Sequence, residues 1–152
     1  MGGGNQELQQ LSQQLQQLEA EKEELEGEVE DLRDEKGEMD EAIEAIETLE
    51  TGSIVQVPLG GGAYIRASVE NIDEVVVELG GGYAAERDQN GAVESLKSRK
   101  DVVDQHISDT QEEIAEIEAE SDQLEQKAQQ MQQQQMQQQM QQMQQQQEDE
   151  DE

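Results

Sequence analysis

The side chains that most often perform acid–base or nucleophilic chemistry are scarce or isolated in this sequence. The 152 residues include one histidine, His106, and no cysteine. His106 stands beside Ile107 in a stretch of helical periodicity, and no serine–histidine–aspartate or metal-ligand spacing surrounds it. Acidic residues are abundant, but acidic runs along a helix are usually its solvated face. We therefore expect no enzymatic activity, no metal site and no cofactor.

Two glycine triplets, at residues 60–62 and 80–82, are the other segments that could carry chemistry. A phosphate-binding loop of the P-loop type needs Lys-Ser or Lys-Thr directly after the glycines and then a helix. Here the triplets are followed by Ala63-Tyr64 and Tyr83-Ala84, in sequence typical of strands. The triplets therefore predict tight turns between strands rather than nucleotide binding.

The first structural element that the sequence predicts corresponds to a heptad repeat over residues 6–50. Apolar residues alternate in steps of three and four if Lys22 and Lys36 occupy the two remaining seam positions. Such a repeat, unbroken over six heptads, predicts one long coiled-coil helix. The seam residues are Leu8, Leu11, Leu15, Leu18, Leu25, Val29, Leu32, Met39, Ile43 and Ile46.

A second heptad frame covers residues 92–131 and predicts a second helix of nearly equal length, after a turn at Asn90-Gly91. Two equal helices joined by a compact insert can fold back as an antiparallel coiled coil. Pairing Ile46 with Val93 brings Leu8 opposite Met131, although a register shifted by one heptad also satisfies the pattern. The second seam contains Val93, Leu96, Lys100, Val103, Ile107, Thr110, Ile114, Ile117, Ser121, Leu124, Ala128 and Met131.

The insert, residues 53–87, reads as two β-hairpins, because runs of β-branched residues flank each glycine triplet. So few strands cannot bury their apolar residues alone, and open strand edges favour pairing with other chains. We therefore expect the hairpins to join those of other subunits in a shared sheet or barrel, which removes the open edges. The candidate assembly residues are Ile54, Val55, Val57, Leu59, Tyr64, Ile65, Val75, Val76, Val77, Leu79 and Tyr83.

The composition limits the class of protein. Hydrophobic residues make up 32% and aromatic residues 1%, so the apolar residues must lie along thin seams or between subunits. The formal net charge of −30 repels nucleic acid and anionic membranes, and no 18-residue apolar run is present. Partial disorder is one interpretation of this charge, and adaptation to a high-salt cytoplasm is the one we favour. The absence of cysteine and of a signal-peptide pattern is in keeping with a cytoplasmic location.

Two hairpins inserted between matched heptads resemble the alpha type of the archaeal prefoldin family, also called GimC. The resemblance rests on the leucine-rich heptads, on residues 51–62 with their glycine triplet, on the second glycine turn at residues 79–83 and on the heptads from Val93. It covers about residues 6–131, and the acidic composition resembles proteins of halophilic archaea. The fold class expected is α+β, a long antiparallel coiled coil with two central hairpins that join an oligomeric β-barrel.

The resemblance implies a chaperone. Members of this family form a hexamer of two alpha and four beta subunits, hold unfolded polypeptides at the coiled-coil tips without ATP, and deliver them to a group II chaperonin. A structural coiled-coil scaffold without client-holding activity remains the alternative interpretation.

The tip of the coiled coil is where both helices end, and fraying there would expose seam residues to an unfolded client. Beyond the tip lies a tract rich in glutamine and methionine, within a tail at residues 132–152 that we expect to be disordered. Methionine is flexible and polarizable, so it suits contact with varied apolar surfaces. The candidate client-binding residues are Leu8, Leu11, Leu15, Leu18, Leu124, Met131 and Met136.

Overall fold

A computed structural model describes residues 2–150 of the chain. Helix α1 spans Gly2–Thr48 and helix α2 spans Gln89–Glu150. Between them lie strands β1 (Ile54–Gly60), β2 (Ala63–Ser68), β3 (Val75–Gly80) and β4 (Tyr83–Arg87). Two long helices and two small antiparallel hairpins confirm the predicted α+β fold class.

The chain forms two compact units, and each helix contributes to both. The terminal unit contains residues 1–29 and 110–152, and the hairpin unit contains residues 30–109. The two units are described separately below under these names.

The core of the hairpin unit contains helix seam residues and one side of the second hairpin. Met39 and Ile43 of α1 and Val93, Leu96 and Val103 of α2 are buried with Ala92 and Val77. Leu32, Ile46 and Ile107 pack against this cluster. The heptad positions of both helices are therefore the buried positions, as the sequence predicts.

The two hairpins have the same turn. In each, β1–β2 and β3–β4, two central glycines adopt positive φ, 61° and 80° at Gly61 and Gly62 and 62° and 82° at Gly81 and Gly82. Positive φ at both central positions is the signature of the type I′ turn, whose twist matches that of the flanking strands. A register irregularity before each turn, between Pro58 and Gly60 and between Glu78 and Gly80, introduces a bulge. The two glycine triplets of the sequence thus form the same turn twice.

The hairpins form two separate two-stranded sheets. In β3, Val77 is 5% exposed because it lies against the helices. No residue of β1 or β2 is buried. In the single chain the first hairpin therefore has no strand residue buried as deeply as Val77 of the second hairpin.

Helix α2 begins earlier than the sequence predicted. The carboxylate of Asp88 accepts a hydrogen bond from the backbone N–H of Gly91 at 2.7 Å, which makes Asp88 the N-cap. Asn90 and Gly91 therefore lie in the first helical turn rather than in a turn before it. The predicted turn at these two residues is wrong, because the cap two residues upstream outweighs their turn preference.

The expected disordered tail is also not what the structure shows. Helix α2 continues through residues 132–150, while residues 151 and 152 lie outside the described part of the chain. Glutamine, methionine and glutamate are good helix formers, and this stretch contains neither glycine nor proline to end the helix. A helix already formed upstream can therefore propagate through it without a new nucleus.

Gln89 joins the end of α1 to the start of α2. Its side-chain amide donates hydrogen bonds to the carbonyl oxygens of Ile46 and Leu49, at 2.7 and 3.1 Å. The last carbonyls of a helix lack intrahelical partners, so these contacts cap α1 from the neighbouring helix. Nothing in the heptad pattern indicates this role for Gln89.

Candidate binding surfaces

The predicted client-binding residues all lie in the terminal unit, and most of them are in its seam. Leu11 is 7% exposed, and Leu8, Leu15, Leu18, Leu124 and Met131 are half-buried. Met136 alone among the seven is freely accessible, at 66% exposed. The structure thus places six of these side chains between the helices, where they stabilise the coiled coil.

The seam of α2 ends at Gln135. Gln135 is half-buried, and its side-chain nitrogen would lie 2.5 Å from a Cβ atom built on Gly4 of α1. Residues 136–150 of α2 are all exposed. We call these fifteen residues the α2 extension, since they continue the helix with no buried side chain.

A cavity of about 380 Å³ lies in the terminal unit near the end of the seam. Its lining is dominated by side-chain amides, with Met131 as its apolar component. The lining residues are Gly4, Asn5, Glu7, Met131, Gln134, Gln135, Gln138, Gln139 and Gln142. Beyond Met131 the seam therefore changes from apolar to amide side chains.

Ion pairs fix the register of the two helices within each unit. In the hairpin unit, Lys36 Nζ lies 2.5 Å from Asp104 Oδ1, and Lys100 forms the reciprocal pair with Asp40. In the terminal unit, Lys22 Nζ lies 3.3 Å from Glu118 Oε1. These pairs agree with the register that places Ile46 near Val93 and exclude, within each unit, a shift by one heptad.

Lys22 and Lys100, two of the lysines on the seam, are held in their charged form. Hydrogen bonding to Glu118, reinforced by the charge of that carboxylate, raises the pKa of Lys22 above its usual 10.5. Hydrogen bonding to Asp40 likewise raises the pKa of Lys100. These side chains lay their methylenes along the seam and bring their ammonium groups to the carboxylates of the other helix.

The predicted assembly residues of the hairpins are mostly exposed. The exception is Val77, which is buried, and Val55 and Val75 are half-buried. The exposed fractions of the others are 65% for Ile54, 41% for Val57, 66% for Leu59, 63% for Tyr64, 53% for Ile65, 69% for Val76, 45% for Leu79 and 75% for Tyr83. So many large apolar side chains on two small sheets form a surface that favours association.

The first hairpin also differs from the rest of the chain in charge. Residues 51–69 contain no acidic residue and one basic residue, Arg66, in a chain that carries 39 acidic residues. The absence of carboxylates removes the repulsion that would oppose close contact with another acidic subunit. Charge and apolar exposure therefore indicate the same binding surface.

Residues 2–150 contain neither a metal-binding cluster nor a membrane-spanning helix. No group of three or more His, Asp or Glu side chains there is placed to hold a metal ion. Neither helix has a segment long and apolar enough to cross a membrane.

Comparison with known proteins assigns the chain to a family. The family described as Prefoldin, prefoldin subunit, matches residues 18–134. The chain belongs to the prefoldin family. The match extends from the seam of α1 through both hairpins to the seam of α2, which are the features from which the resemblance was inferred.

Most of the relatives found are alpha-type subunits from halophilic archaea. The chain is 66% identical over 88 residues to a prefoldin subunit alpha of Haloarcula marismortui, covering 58% of this chain and 57% of the relative. It therefore spans somewhat more than half the length of that protein. It is 62% identical over 112 residues to the prefoldin subunit alpha of Halorubrum lacusprofundi, covering 74% of each.

A solved structure has the same fold. It is the cryo-EM structure of filamentous PFD from Methanocaldococcus jannaschii, with a TM-score of 0.50 and 26% sequence identity. The similarity covers 77% of this chain and 93% of that one. A chaperone role is the general function of the prefoldin family.

Proposed function

We propose that this chain is the alpha-type subunit of a prefoldin hexamer of two alpha and four beta subunits, located in the cytoplasm. The hexamer holds unfolded polypeptides without ATP and transfers them to a group II chaperonin. The chain itself performs no catalysis. The observation that carries the proposal is the combination of paired heptad helices with two hairpins whose apolar residues are exposed in the single chain.

Assembly through the hairpins is the first part of the proposal. The first hairpin has apolar side chains on both faces, no buried residue and no acidic residue. Pairing its strands with those of a beta-type subunit would satisfy the edges and cover these side chains. The second hairpin is supported by Val77 on one face and leaves Val76 free for a partner on the other.

Polypeptide capture by the terminal unit is the second part. Its seam residues, Leu8, Leu11, Leu15, Leu18, Leu124 and Met131, lie between the helices, so they would reach a client only when the ends of the seam open. Met136 is exposed without such opening. Capture would then begin on the α2 extension and proceed to the seam as the helix ends fray.

The test uses the complex assembled with beta-type subunits in molar KCl. Added without ATP in several-fold molar excess to a chemically unfolded enzyme, the complex should suppress the aggregation that light scattering records. Removing residues 1–18 and 124–152 should abolish suppression, while the mass of the assembled complex should fall only by the deleted residues. Loss of the assembly in this variant would contradict the assignment of assembly to the hairpins.

The structural scaffold is the competing proposal, because a coiled coil with matched ion pairs is also a good spacer. A scaffold would form a stable complex with one fixed partner and would protect no unfolded enzyme. Three unrelated reporter enzymes distinguish the two proposals, since a holdase should protect all of them and a scaffold none.

A further inference from the structure

The methionines of this chain occupy different environments. Met39 is 6% exposed in the core of the hairpin unit, and Met131 is half-buried at the end of the seam. Met136, Met140 and Met143 in the α2 extension are 66%, 68% and 69% exposed. The extension therefore presents three thioether sulfurs to solvent, and the hairpin unit protects another.

The three exposed methionines lie on one face of α2. Their spacing of four and three residues places them within an arc of about 60° at about 100° per residue. Met131 lies about 140° away from Met136 by the same geometry, on the side where Gly4 and Gln135 meet. The methionine face of the extension is therefore distinct from the seam.

No other apolar residue occurs in residues 132–150, where all remaining positions are glutamine or acidic. Residues 126–147 also contain no acidic residue. The apolar character of the α2 extension thus depends entirely on three thioethers, and residues 136–147 of the extension carry no carboxylate.

We propose that Met136, Met140 and Met143 form a reversible oxidation site through which hydroperoxides lower polypeptide capture, an inference that rests on the proposed holding function. In each step the thioether sulfur gives two electrons to the hydroperoxide. The O–O bond breaks, an S–O bond forms, and the products are methionine sulfoxide and water, or an alcohol if the hydroperoxide is organic. A sulfoxide is polar, so three such steps remove the apolar face of the extension.

The reverse step restores the thioether. A methionine sulfoxide reductase that draws two electrons from a dithiol returns the sulfoxide oxygen as water and leaves a disulfide on the reductant. Because the chain has no cysteine, its own oxidation cannot end in a disulfide. Oxidation at these positions would therefore act through the side-chain polarity of methionine.

The test begins with the assembled complex, treated with hydrogen peroxide and then with catalase before any unfolded enzyme is added. Mass spectrometry of proteolytic peptides measures the sulfoxide fraction at each methionine over time. Met136, Met140 and Met143 should oxidise at least about tenfold faster than Met39, which should become equally reactive only after unfolding. Equal rates in the folded complex would overturn the proposal.

Capture is then compared before and after peroxide for the wild type and for the variant M136L/M140L/M143L. Leucine is apolar and does not form a sulfoxide, so each protein is compared only with its own untreated sample. Peroxide should reduce capture by the wild type about threefold or more and leave the ratio for the leucine variant near one. The leucine variant also accounts for oxidation at every other methionine in the complex, including those of the partner subunits.

Two further measurements separate the possible failures. The variant M136Q/M140Q/M143Q should capture as weakly as the oxidised wild type, and reductase treatment of the oxidised wild type should restore capture. Complete oxidation with an unchanged capture ratio would overturn the switch while the holding function stands. If the untreated complex captures no unfolded enzyme, the proposed holding function is wrong, and the proposed regulation by methionine oxidation is wrong with it.

Discussion

Val77 is the most buried residue of the second hairpin where it contacts the helices, and Val75 packs beside it. Its side chain is 5% exposed, in the cluster that contains Met39, Ile43, Val93 and Leu96. Val102 lies on the outer side of α2 and is 70% exposed. The two valines therefore provide the same substitution in a buried and in an exposed position.

We expect Val77→Ala to lower the free energy of unfolding by about 1–3 kcal/mol, from lost burial and the cavity left behind. Val102→Ala should change it by less than about 0.5 kcal/mol. Guanidinium unfolding of both variants at one fixed salt concentration measures the difference. Equal effects would mean that the second hairpin is not held by the helices.

Lys100 gives the coiled coil a dependence on alkaline pH. Hydrogen bonding to Asp40 raises the pKa of Lys100 above its ordinary value of 10.5 in the folded chain. A raised pKa means that the folded state binds the proton more tightly than the unfolded state does. Its stabilising effect is therefore complete below about pH 10 and is lost as the pH rises through the pKa of the folded state.

The thermal midpoint of the wild type should accordingly fall between pH 10 and pH 12, and this fall should be smaller in Lys100→Met. Lys97→Met is the matched control, because Lys97 is an exposed lysine on the same helix. Its midpoint should follow the wild-type pH dependence. If the thermal midpoint of Lys100→Met fell with pH as steeply as that of the wild type, the ion pair between Lys100 and Asp40 would add nothing to the stability of the fold.

At the scale of the elements, the glycine turns set the geometry of the hairpins. Gly61 has a φ of +61°, and nothing lies within 4 Å of a Cβ atom built there. An added methyl group would therefore cost conformational energy without a steric clash. Gly37 in α1 also has open space around its Cβ position, but its backbone is helical.

The same substitution should thus have opposite signs at these two glycines. We expect Gly61→Ala to destabilise the protein by about 1–2 kcal/mol, because alanine disfavours the left-handed conformation. Gly37→Ala should stabilise it by about 0.5–1 kcal/mol, because glycine is a poor helix former. Unfolding free energies of both variants check the signs. Destabilisation at Gly37 would show that its helical environment is more constrained than the open space suggests.

The sequence predicted those elements whose periodicity repeats many times. The seam residues from Leu8 to Ile46 and from Val93 to Met131 were predictable, because apolar residues recur at the same positions in successive heptads. The helix ends were not, since they depend on single interactions such as the Asp88 cap and the amide of Gln89. The α2 extension was missed because it has helix propensity without an apolar seam, and propensity alone does not distinguish a helix from a disordered polar tract.

The positions of the candidate client-binding residues along the two helices were predictable from the sequence, but their exposure was not. A residue at a heptad position of the seam is covered by the other helix. The same periodicity that locates such a residue therefore predicts that it is not accessible to a client. Leu11 and Met136 were given the same predicted role, yet their exposed fractions are 7% and 66%. The heptad frame separates them, because Leu11 is a seam position whereas Met136 follows the seam position Gln135 and lies about 140° from Met131 around the helix.

At the scale of the whole molecule, charge opposes folding. The residues of the terminal unit include 19 acidic and two basic residues, and those of the hairpin unit 20 acidic and seven basic residues. In the terminal unit, carboxylates of both helices line one groove, Glu21 and Glu24 from α1 and Glu113 and Glu116 from α2. Such convergence of like charges needs screening, and the Debye length falls from about 10 Å at 0.1 M salt to about 3 Å at 1 M.

We therefore expect the thermal midpoint to rise between 0.1 and 1 M KCl, and the rise to be smaller in the variant E113Q/E116Q, which removes two of the four groove carboxylates. The opposite control is Q132E/Q133E, which adds carboxylates to exposed positions of the same helix and should steepen the dependence. If salt acted by strengthening apolar burial instead, both variants would keep the wild-type slope, because neither changes an apolar side chain. If the thermal midpoint rises with KCl least in E113Q/E116Q and most in Q132E/Q133E, the stabilisation by salt results from screening of carboxylate repulsion.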